Sequence, residues 1–378
     1  MTSTRAWLVV VLAASATACP ADDPQGTPDG PTADAAPAPD GGPDALGCPD
    51  AGPTPDGGDP ATCMALAGDY TPRVMMSMTD PWPACVSDDG LYHPFDANIS
   101  SLARVAAFEQ ITALLAGGAP GGQAFLDARL IYVQDQGLES RVARREDEHY
   151  PPAPMACRDL TPVEQQTWAD RCVGPARIQP LVNQAFQDGA LGVEPAANAA
   201  RVEAGLLWFL YVSVYKEAAT CAAAVADCDS HFAYYTGGEP RAGGQGLARR
   251  VRALSVGTHD RAWDGILAVR CWRDLDNPTG PAMDLAMRGQ ALAQLDRALL
   301  RAVALVVRDR ALRLRVCGGD STADWAFVRV LGPVLDREAT LRDPAAAAAL
   351  RAELAKLDPA AVDVAALLGA LDALFPCP

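Results

Sequence analysis

The segment DCDSHFAYYTGG (Asp227–Gly238) combines two carboxylates, an imidazole and two phenols within nine residues. On a helix, His231 and Tyr235 lie four residues apart and therefore on one face. Imidazole, phenolate and carboxylate together suit ferric iron. The structural alternative is that His231 caps a short helix, His231–Tyr235, and that the tyrosines pack beside it. Asp229 or Ser230 would cap this helix at its start.

The preceding helical segment carries glutamates on its apolar stripe. The helical period in Ala200–Ala222 places Glu203 and Glu217 in line with leucines, with Tyr211 at the edge of the stripe. Glu109 occupies a core position in the first predicted helix. A buried carboxylate is costly unless it is paired, hydrogen-bonded or metal-bound. Inward-facing acids on neighbouring helices build metal sites in bundles, but each glutamate could instead pair with an arginine.

Two further histidines lie in charged segments. In GTHDRAWDG (Gly257–Gly265), Thr258 resembles a helix cap, and His259 could donate to a carboxylate or to a ligand. The alternative is that His259 is a solvated first-turn residue beside aspartates that the helix dipole favours. The run RREDEHYPP (Arg144–Pro152), which includes His149, is interpreted as a solvated charge run.

These observations define a predicted set of metal ligands: Glu109, Glu203, Glu217, His231 and Tyr235, with Tyr211 and His259 in reserve. The chain lacks the G-x-S-x-G, P-loop and H-E-x-x-H motifs. The sequence therefore contains no motif that would indicate a serine hydrolase, a nucleotide-binding protein or a zincin.

The elements that must position these residues are helical. Helices are predicted over Asn98–Ala116, Gln123–Ala143, Thr161–Arg171, Arg177–Gln187, Ala196–Ala226, Gly246–Val256, Thr258–Leu275, Pro281–Leu314, Ala323–Thr340, Pro344–Leu357 and Pro359–Phe375. Their starts include Asp343-Pro344, which is an N-cap followed by a first-turn proline. No segment shows the alternation of apolar and polar residues that is typical of a β-strand. The sequence predicts an all-α, antiparallel multi-helix bundle over Ala61–Pro378.

The N-terminus resembles a bacterial lipoprotein signal. Arg5 precedes a short apolar core, and small residues lead to Cys19. We expect a signal peptide over 1–18 and a lipid anchor on Cys19; ordinary secretion with cleavage near Ala18 is the alternative. Pro20 favours the outer membrane or cell surface over the inner membrane. Residues 19–60 are rich in Pro, Asp and Gly and predict a disordered linker.

Cysteine usage agrees with export. Ten cysteines other than Cys19 form an even number, which predicts disulfides. The spacing permits a Cys221–Cys228 bond, and Cys157 and Cys172 are further candidates. An irregular strap over 61–97 is expected to be held by Cys63 and Cys85. The absence of C-x-x-C removes support for thiol redox chemistry and zinc ribbons.

The formal net charge of −16 excludes nucleic acid as a probable class of partner, because phosphate backbones bind clustered positive charge. The membrane, through the anchor on Cys19, is the partner that the sequence does predict. It does not predict a protein partner.

Four short segments resemble the low-iron-inducible periplasmic proteins, which are helical iron-assimilation proteins known from algae, with bacterial relatives. They are IQPLVNQ (Ile178–Gln184), Tyr211–Ala218, HFAYYTGG (His231–Gly238) and GLARRV (Gly246–Val251). The resemblance covers about 178–276 and implies iron as the bound metal.

The first hypothesis is therefore an envelope-anchored, non-catalytic lipoprotein that binds a metal, iron in particular, for uptake or storage. The second is a non-catalytic surface module that binds a protein or polymer, with its acids paired to arginine. A third and weaker one is an acid/base enzyme that uses two of the carboxylates as a pair.

Overall fold

A computed structural model describes residues 63–75, 81–134, 137–315 and 321–376 of the chain. The predicted signal peptide (1–18), Cys19 and the predicted linker (19–60) lie outside these ranges.

The described residues form helices joined by turns and loops and contain no strand, which confirms the all-α bundle. The helices are α1 (Ser101–Leu114), α2 (Gly122–Gln134), α3 (Leu138–Val142), α4 (Pro162–Thr167), α5 (Gln179–Ala190), α6 (Pro195–Thr220), α7 (Val225–Thr236), α8 (Gly246–Leu254), α9 (Val256–Leu275), α10 (Leu285–Arg313), α11 (Ser321–Leu331), α12 (Asp336–Arg342), α13 (Pro344–Leu354) and α14 (Val364–Leu374). Single 3-10 turns lie at Arg73–Met75, Val86–Asp89, Cys157–Asp159, Gly332–Leu335 and Pro359–Ala361, and a π-turn at Gly174–Ile178 leads into α5.

Four predicted helices are divided in the structure. The predicted helix Ala196–Ala226 ends as α6 at Thr220, before α7 begins at Val225, and the predicted helix Pro359–Phe375 consists of the 3-10 turn Pro359–Ala361 and α14. Gly137 adopts a left-handed φ of 70° and begins α3, so the predicted helix Gln123–Ala143 becomes α2 and α3. The predicted helix Ala323–Thr340 is divided by the 3-10 turn Gly332–Leu335, whose proline lacks the N–H that a continuous helix needs.

The caps are confirmed in part. Thr161 accepts from the Glu164 N–H, and the Glu164 carboxylate accepts from the Thr161 N–H, which is a complete capping box. Asp343 caps α13 as expected. Thr258 is not the cap of α9, because the Ser255 side chain takes that role and accepts from the Thr258 N–H.

The opening segment lies inside a longer helix than predicted. α7 starts at Val225, so a short helix His231–Tyr235 capped by Asp229 or Ser230 is wrong. Asp229 is buried and instead binds the strap, the segment 61–97, through hydrogen bonds. Its carboxylate accepts from the Tyr92 hydroxyl (3.1 Å) and from the N–H groups of Phe95 (3.0 Å) and Asp96 (2.8 Å).

The core is centred on two long helices. α6 is almost entirely buried from Val202 to Val214 and packs against α5, α7 and α11. α10 packs chiefly against α9, and the outer helices close over this pair. None of the described helices combines the length and the apolar character that a membrane span requires.

Three disulfides join pairs of cysteines that both lie in the described part of the chain. Cys85 joins Cys271 with a Cα–Cα distance of 5.4 Å, so the strap is held to α9 at this point. The structure also pairs Cys157 with Cys172 (Cα–Cα 5.4 Å) and Cys221 with Cys228 (4.9 Å). Cys63 is disulfide-bonded as well.

Candidate functional site

A cleft of about 970 Å³ opens between α1, α6, α8, α10 and α11. Small side chains line it: Ala113, Ala116, Ala196, Ala199, Ala200 and Ala323. Gly117 and Gly118 turn the chain at its edge with φ of 103° and 89°, and open space lies beside both. These small residues leave space between the helix surfaces at this point.

A chain of alternating charges joins the five helices around the cleft. The Arg250 guanidinium lies 3.6 Å from Glu109 and 2.9 Å from Glu203. The other Glu203 oxygen accepts from Arg310 at 2.6 Å, and Arg310 reaches Asp324 at 3.0 Å. Each helix supplies one member: α1, α8, α6, α10 and α11 in that order. The salt bridges therefore fix the mutual positions of all five walls.

Aromatic rings hold the two central arginines in place. The Arg250 guanidinium lies over Phe108 at 4.6 Å from the ring centroid, and that of Arg310 lies over Phe327 at 4.6 Å. Cation–π contact of this kind stabilises a cation that has lost part of its water. The two guanidiniums are thus fixed by carboxylates on one side and by rings on the other.

The edge of the cleft carries two more arginines that are exposed. Arg249 pairs with Glu109, and its side chain is 59% exposed. Arg313 pairs with Asp309 at 2.6 Å, and its side chain is 50% exposed. Among the lining residues, four arginines face three carboxylates. Arg313 is balanced by Asp309, which does not line the cleft, so each of the four arginines has a carboxylate partner. The cleft therefore offers the half-exposed guanidinium N–H groups of Arg249 and Arg313 to solvent.

The structure thus brings Glu109 and Glu203 together, as the sequence predicts, and places arginines between them. Glu109 also accepts from the Gly246 N–H at 2.6 Å, where Gly246 begins α8 with a positive φ of 57°. Sequence periodicity locates both inward carboxylates, but their arginine partners lie at least 47 residues away along the chain and leave no local signal. The alanine-rich segment PAANAA (Pro195–Ala200) was the one local sign of the cleft.

The remaining glutamate of the predicted set lies elsewhere. Glu217 pairs with Arg145 at 2.7 Å and with Lys216 at 3.3 Å. Burial alone would raise the pKa of the Glu217 carboxyl, but the two neighbouring cations hold it below its usual value. Glu217 is therefore an ionised partner of a buried arginine.

Tyr235 and His259 form a hydrogen-bonded relay. The Tyr235 hydroxyl donates to His259 Nδ1 (3.2 Å), while His259 Nε2–H donates to the Arg241 carbonyl (2.9 Å). The Arg241 guanidinium in turn binds Asp260 (2.7 Å) and Asp264 (2.8 Å). Burial lowers the pKa of His259, so it is neutral and both ring nitrogens are engaged. This network holds the loop after α7 against the start of α9.

His231 is fully buried, and its ring faces the backbone at Cys228 and Ile266. Burial lowers the pKa of His231 to about 4, so the ring is neutral at physiological pH. Tyr235 lies one turn further along α7, where the Tyr235–His259 contact directs it towards α9.

His149 is the group that the sequence interpretation missed, and the solvated charge run is wrong at this residue. Its Nδ1 contacts Asp147 (2.6 Å), its Nε2 contacts Asp296 (2.9 Å), and its ring stacks on Tyr215 at 3.7 Å. Tyr211 lies on the same ring at 6.0 Å. Burial alone would lower the pKa of His149, but the two carboxylates raise it to about 9, which makes it an imidazolium. Asp296 lies on α10, so no local pattern could reveal this cluster.

The predicted ligands therefore occupy separate places: the cleft, the Arg145 pair, the His149 cluster, the His259 relay and the core beside α9. Within the described ranges, no group of three or more His, Cys, Asp or Glu residues is arranged to hold a metal ion.

We expect Glu203→Gln to lower the free energy of unfolding by about 2 kcal/mol, because two partly buried arginines lose their shared carboxylate. The matched control is Glu194→Gln, since Glu194 pairs with Arg201 but is 56% exposed. It should cost less than about 1 kcal/mol. Urea unfolding measures both, and elemental analysis on the same samples tests iron. A folded Glu203→Gln protein that loses stoichiometric iron would contradict this assignment and support the metal hypothesis.

Comparisons of this chain with protein-family models, with characterised proteins and with solved structures give no match.

Proposed function

We propose that this chain is a non-catalytic binding protein whose cleft takes a small organic anion with a compact apolar body. The observation that carries this proposal is the five-helix charge chain around an alanine-lined cavity of about 970 Å³. The proposal shares with the second hypothesis from the sequence the pairing of the acids to arginine, but its ligand is a small molecule rather than a protein or polymer.

The size and lining of the cleft support a small-molecule ligand. Ligand pockets in proteins have volumes of about 300–1,000 Å³, apolar surfaces and a few polar groups that orient the ligand. The alanines of α1 and α6 offer the apolar surface. Arg249 and Arg313 offer solvent-exposed N–H groups for a carboxylate or phosphate, and guanidinium–oxyanion hydrogen bonds are among the strong ones.

The cleft carboxylates support binding rather than catalysis. Glu203 already accepts from two arginines, and Glu109 accepts from Arg249 and the Gly246 N–H. A carboxylate that is held in this way maintains the walls of the site. The lipid anchor on Cys19 and an envelope location remain part of the proposal, supported by the N-terminal sequence. Iron binding stays a prediction, supported by residue types and by the resemblance.

Calorimetric titration with octanoate tests the proposal. We expect saturable binding of octanoate and at least about tenfold weaker binding of 1-octanol, which lacks the charge for the arginines. Ala199→Trp should weaken octanoate binding by about tenfold or more, because the indole occupies the cleft.

The control is Val163→Trp, which adds the same side chain at a position that is 77% exposed on α4 and outside the cleft. It should bind octanoate as the unsubstituted protein does. The proposal is overturned if octanoate shows no saturable binding, or if both tryptophan variants bind it with unchanged affinity.

A further inference from the structure

A second groove, of about 180 Å³, lies beside α3 and is lined almost entirely by charged residues. The cations are Arg141, Arg144, Arg145, Arg158 and Lys216, and the acids are Glu146 and Glu217. This excess of positive charge stands out in a chain with a formal net charge of −16. It shares no lining residue with the alanine-lined cleft.

The acids of the groove are bound to cations other than Arg141, Arg144 and Arg158. Glu217 forms salt bridges with Arg145 (2.7 Å) and Lys216 (3.3 Å). Glu146 forms a salt bridge with Arg171 at 2.9 Å and also accepts a hydrogen bond from the Cys157 N–H at 2.9 Å. Neither carboxylate is left to neutralise the arginines at the mouth of the groove.

Three guanidiniums therefore converge with little compensation. Arg144 Nε donates to the Ser140 carbonyl at 2.8 Å, and among the described residues Arg144 has no carboxylate within ion-pair distance. Arg141 likewise has none. Arg158 lies 3.6 Å from Asp159, but both side chains are largely in water, where an ion pair contributes little.

The inner end of the groove holds a buried, partly unsatisfied donor. Arg145 has a side chain that is 5% exposed, and its Nε–H has no hydrogen-bond partner among the described residues. Leaving a buried donor unpaired is costly. Burial and the charges of Arg141, Arg158, Arg104 and Arg145 lower the pKa of Arg144, which is the direction expected for a cation beside other cations.

The covalent framework keeps these groups together. The Cys157–Cys172 disulfide and the bond from the Cys157 N–H to Glu146 fix the turn that carries Arg158. The Gly174 N–H donates to the Arg145 carbonyl at 2.9 Å, which fixes the inner residue. These contacts fix the backbone that carries Arg145 and Arg158, while the side chains of Arg141, Arg144 and Arg158 are exposed and free to reach an anion in the groove.

We propose that this groove is a second binding site, specific for a phosphate-type oxyanion, in which Arg141, Arg144 and Arg158 bind the oxygens. Its volume suits a single phosphoryl group. Such a group could be free phosphate or the headgroup of an anionic phospholipid, and both present the same oxygens to the guanidiniums.

Titration of the full chain with inorganic phosphate at low ionic strength tests the proposal. We expect saturable binding that weakens about tenfold or more in Arg141→Gln/Arg144→Gln, because two charge-assisted contacts are lost. The control, Arg201→Gln/Arg351→Gln, removes the same charge from arginines that pair with Glu194 and Asp336 elsewhere. It should bind phosphate unchanged. If the groove variant does not fold, Arg158→Gln provides a single exposed change with the same expected direction.

Vesicles of phosphatidylcholine with and without phosphatidylglycerol distinguish the two sources. Preference for phosphatidylglycerol that disappears in the groove variant supports the headgroup, and phosphate binding without vesicle binding supports the free ion. The proposal is overturned if neither probe binds, or if the control variant loses as much affinity as the groove variant. Octanoate binding should be unchanged in the groove variant. The proposal for the groove and the proposal for the cleft are therefore tested independently.

Discussion

Removing the Cys85–Cys271 disulfide is expected to lower the free energy of unfolding by about 5 kcal/mol. The bond closes a loop with a sequence separation of 186 residues and ties the strap to α9. In the chain-entropy description, a crosslink stabilises the folded state by restricting the unfolded chain, and the effect grows with loop length. We expect Cys85→Ala/Cys271→Ala to shift the urea midpoint strongly downward.

The matched control is Cys221→Ala/Cys228→Ala, which removes the bond between α6 and α7. Its sequence separation is 7 residues, so the same relation gives about 2 kcal/mol. A larger loss in the control than in the Cys85–Cys271 variant would show that local geometry, rather than loop closure, determines the contribution of these bonds.

The second large effect is a loss of stability at alkaline pH that originates at His149. The pKa of His149 is about 9 in the folded state against 6.5 for an ordinary histidine, so folding favours the proton. This contribution is fully present below pH 6.5 and is lost as the pH rises through 9. The shift corresponds to about 3 kcal/mol. Urea unfolding at pH 6, 7.5 and 9 should show the free energy of unfolding falling across this window.

The variant His149→Gln isolates the contribution. It keeps a hydrogen-bonding side chain between Asp147 and Asp296 but cannot carry the charge. We expect it to be less stable than the unsubstituted protein at pH 6 and nearly independent of pH between 6.5 and 9. An alkaline slope of the same size in the variant would assign the effect to other groups.

Local patterns predicted the fold well because helices are specified by neighbours in sequence. The Thr161–Glu164 box and the Asp343 cap each involve residues within one turn, so the sequence contains the complete signal. The prediction is wrong where a contact with residues distant in sequence determines the role of a side chain. Asp229 serves as an anchor for the strap because Phe95 and Asp96, over 130 residues earlier, bring their N–H groups to it.

The candidate site shows the same limit. Periodicity placed Glu109 and Glu203 on inward faces, and the structure gives them a common partner in Arg250. A misplaced acid indicates that a partner exists but not whether that partner is a metal or an arginine. The cleft itself is formed by small side chains on five separate helices, so the sequence of no single segment predicts it.

Hydrogen–deuterium exchange with and without octanoate locates the ligand most directly, because bound ligand slows opening of the segments that it contacts. We predict that protection concentrates at the end of α1 and the turn that follows it, residues 110–118, and at the start of α6, residues 196–203, because both segments contribute lining residues to the cleft. Protection absent from both segments, or confined to the groove around 141–158, would contradict the proposal that the cleft is the ligand site.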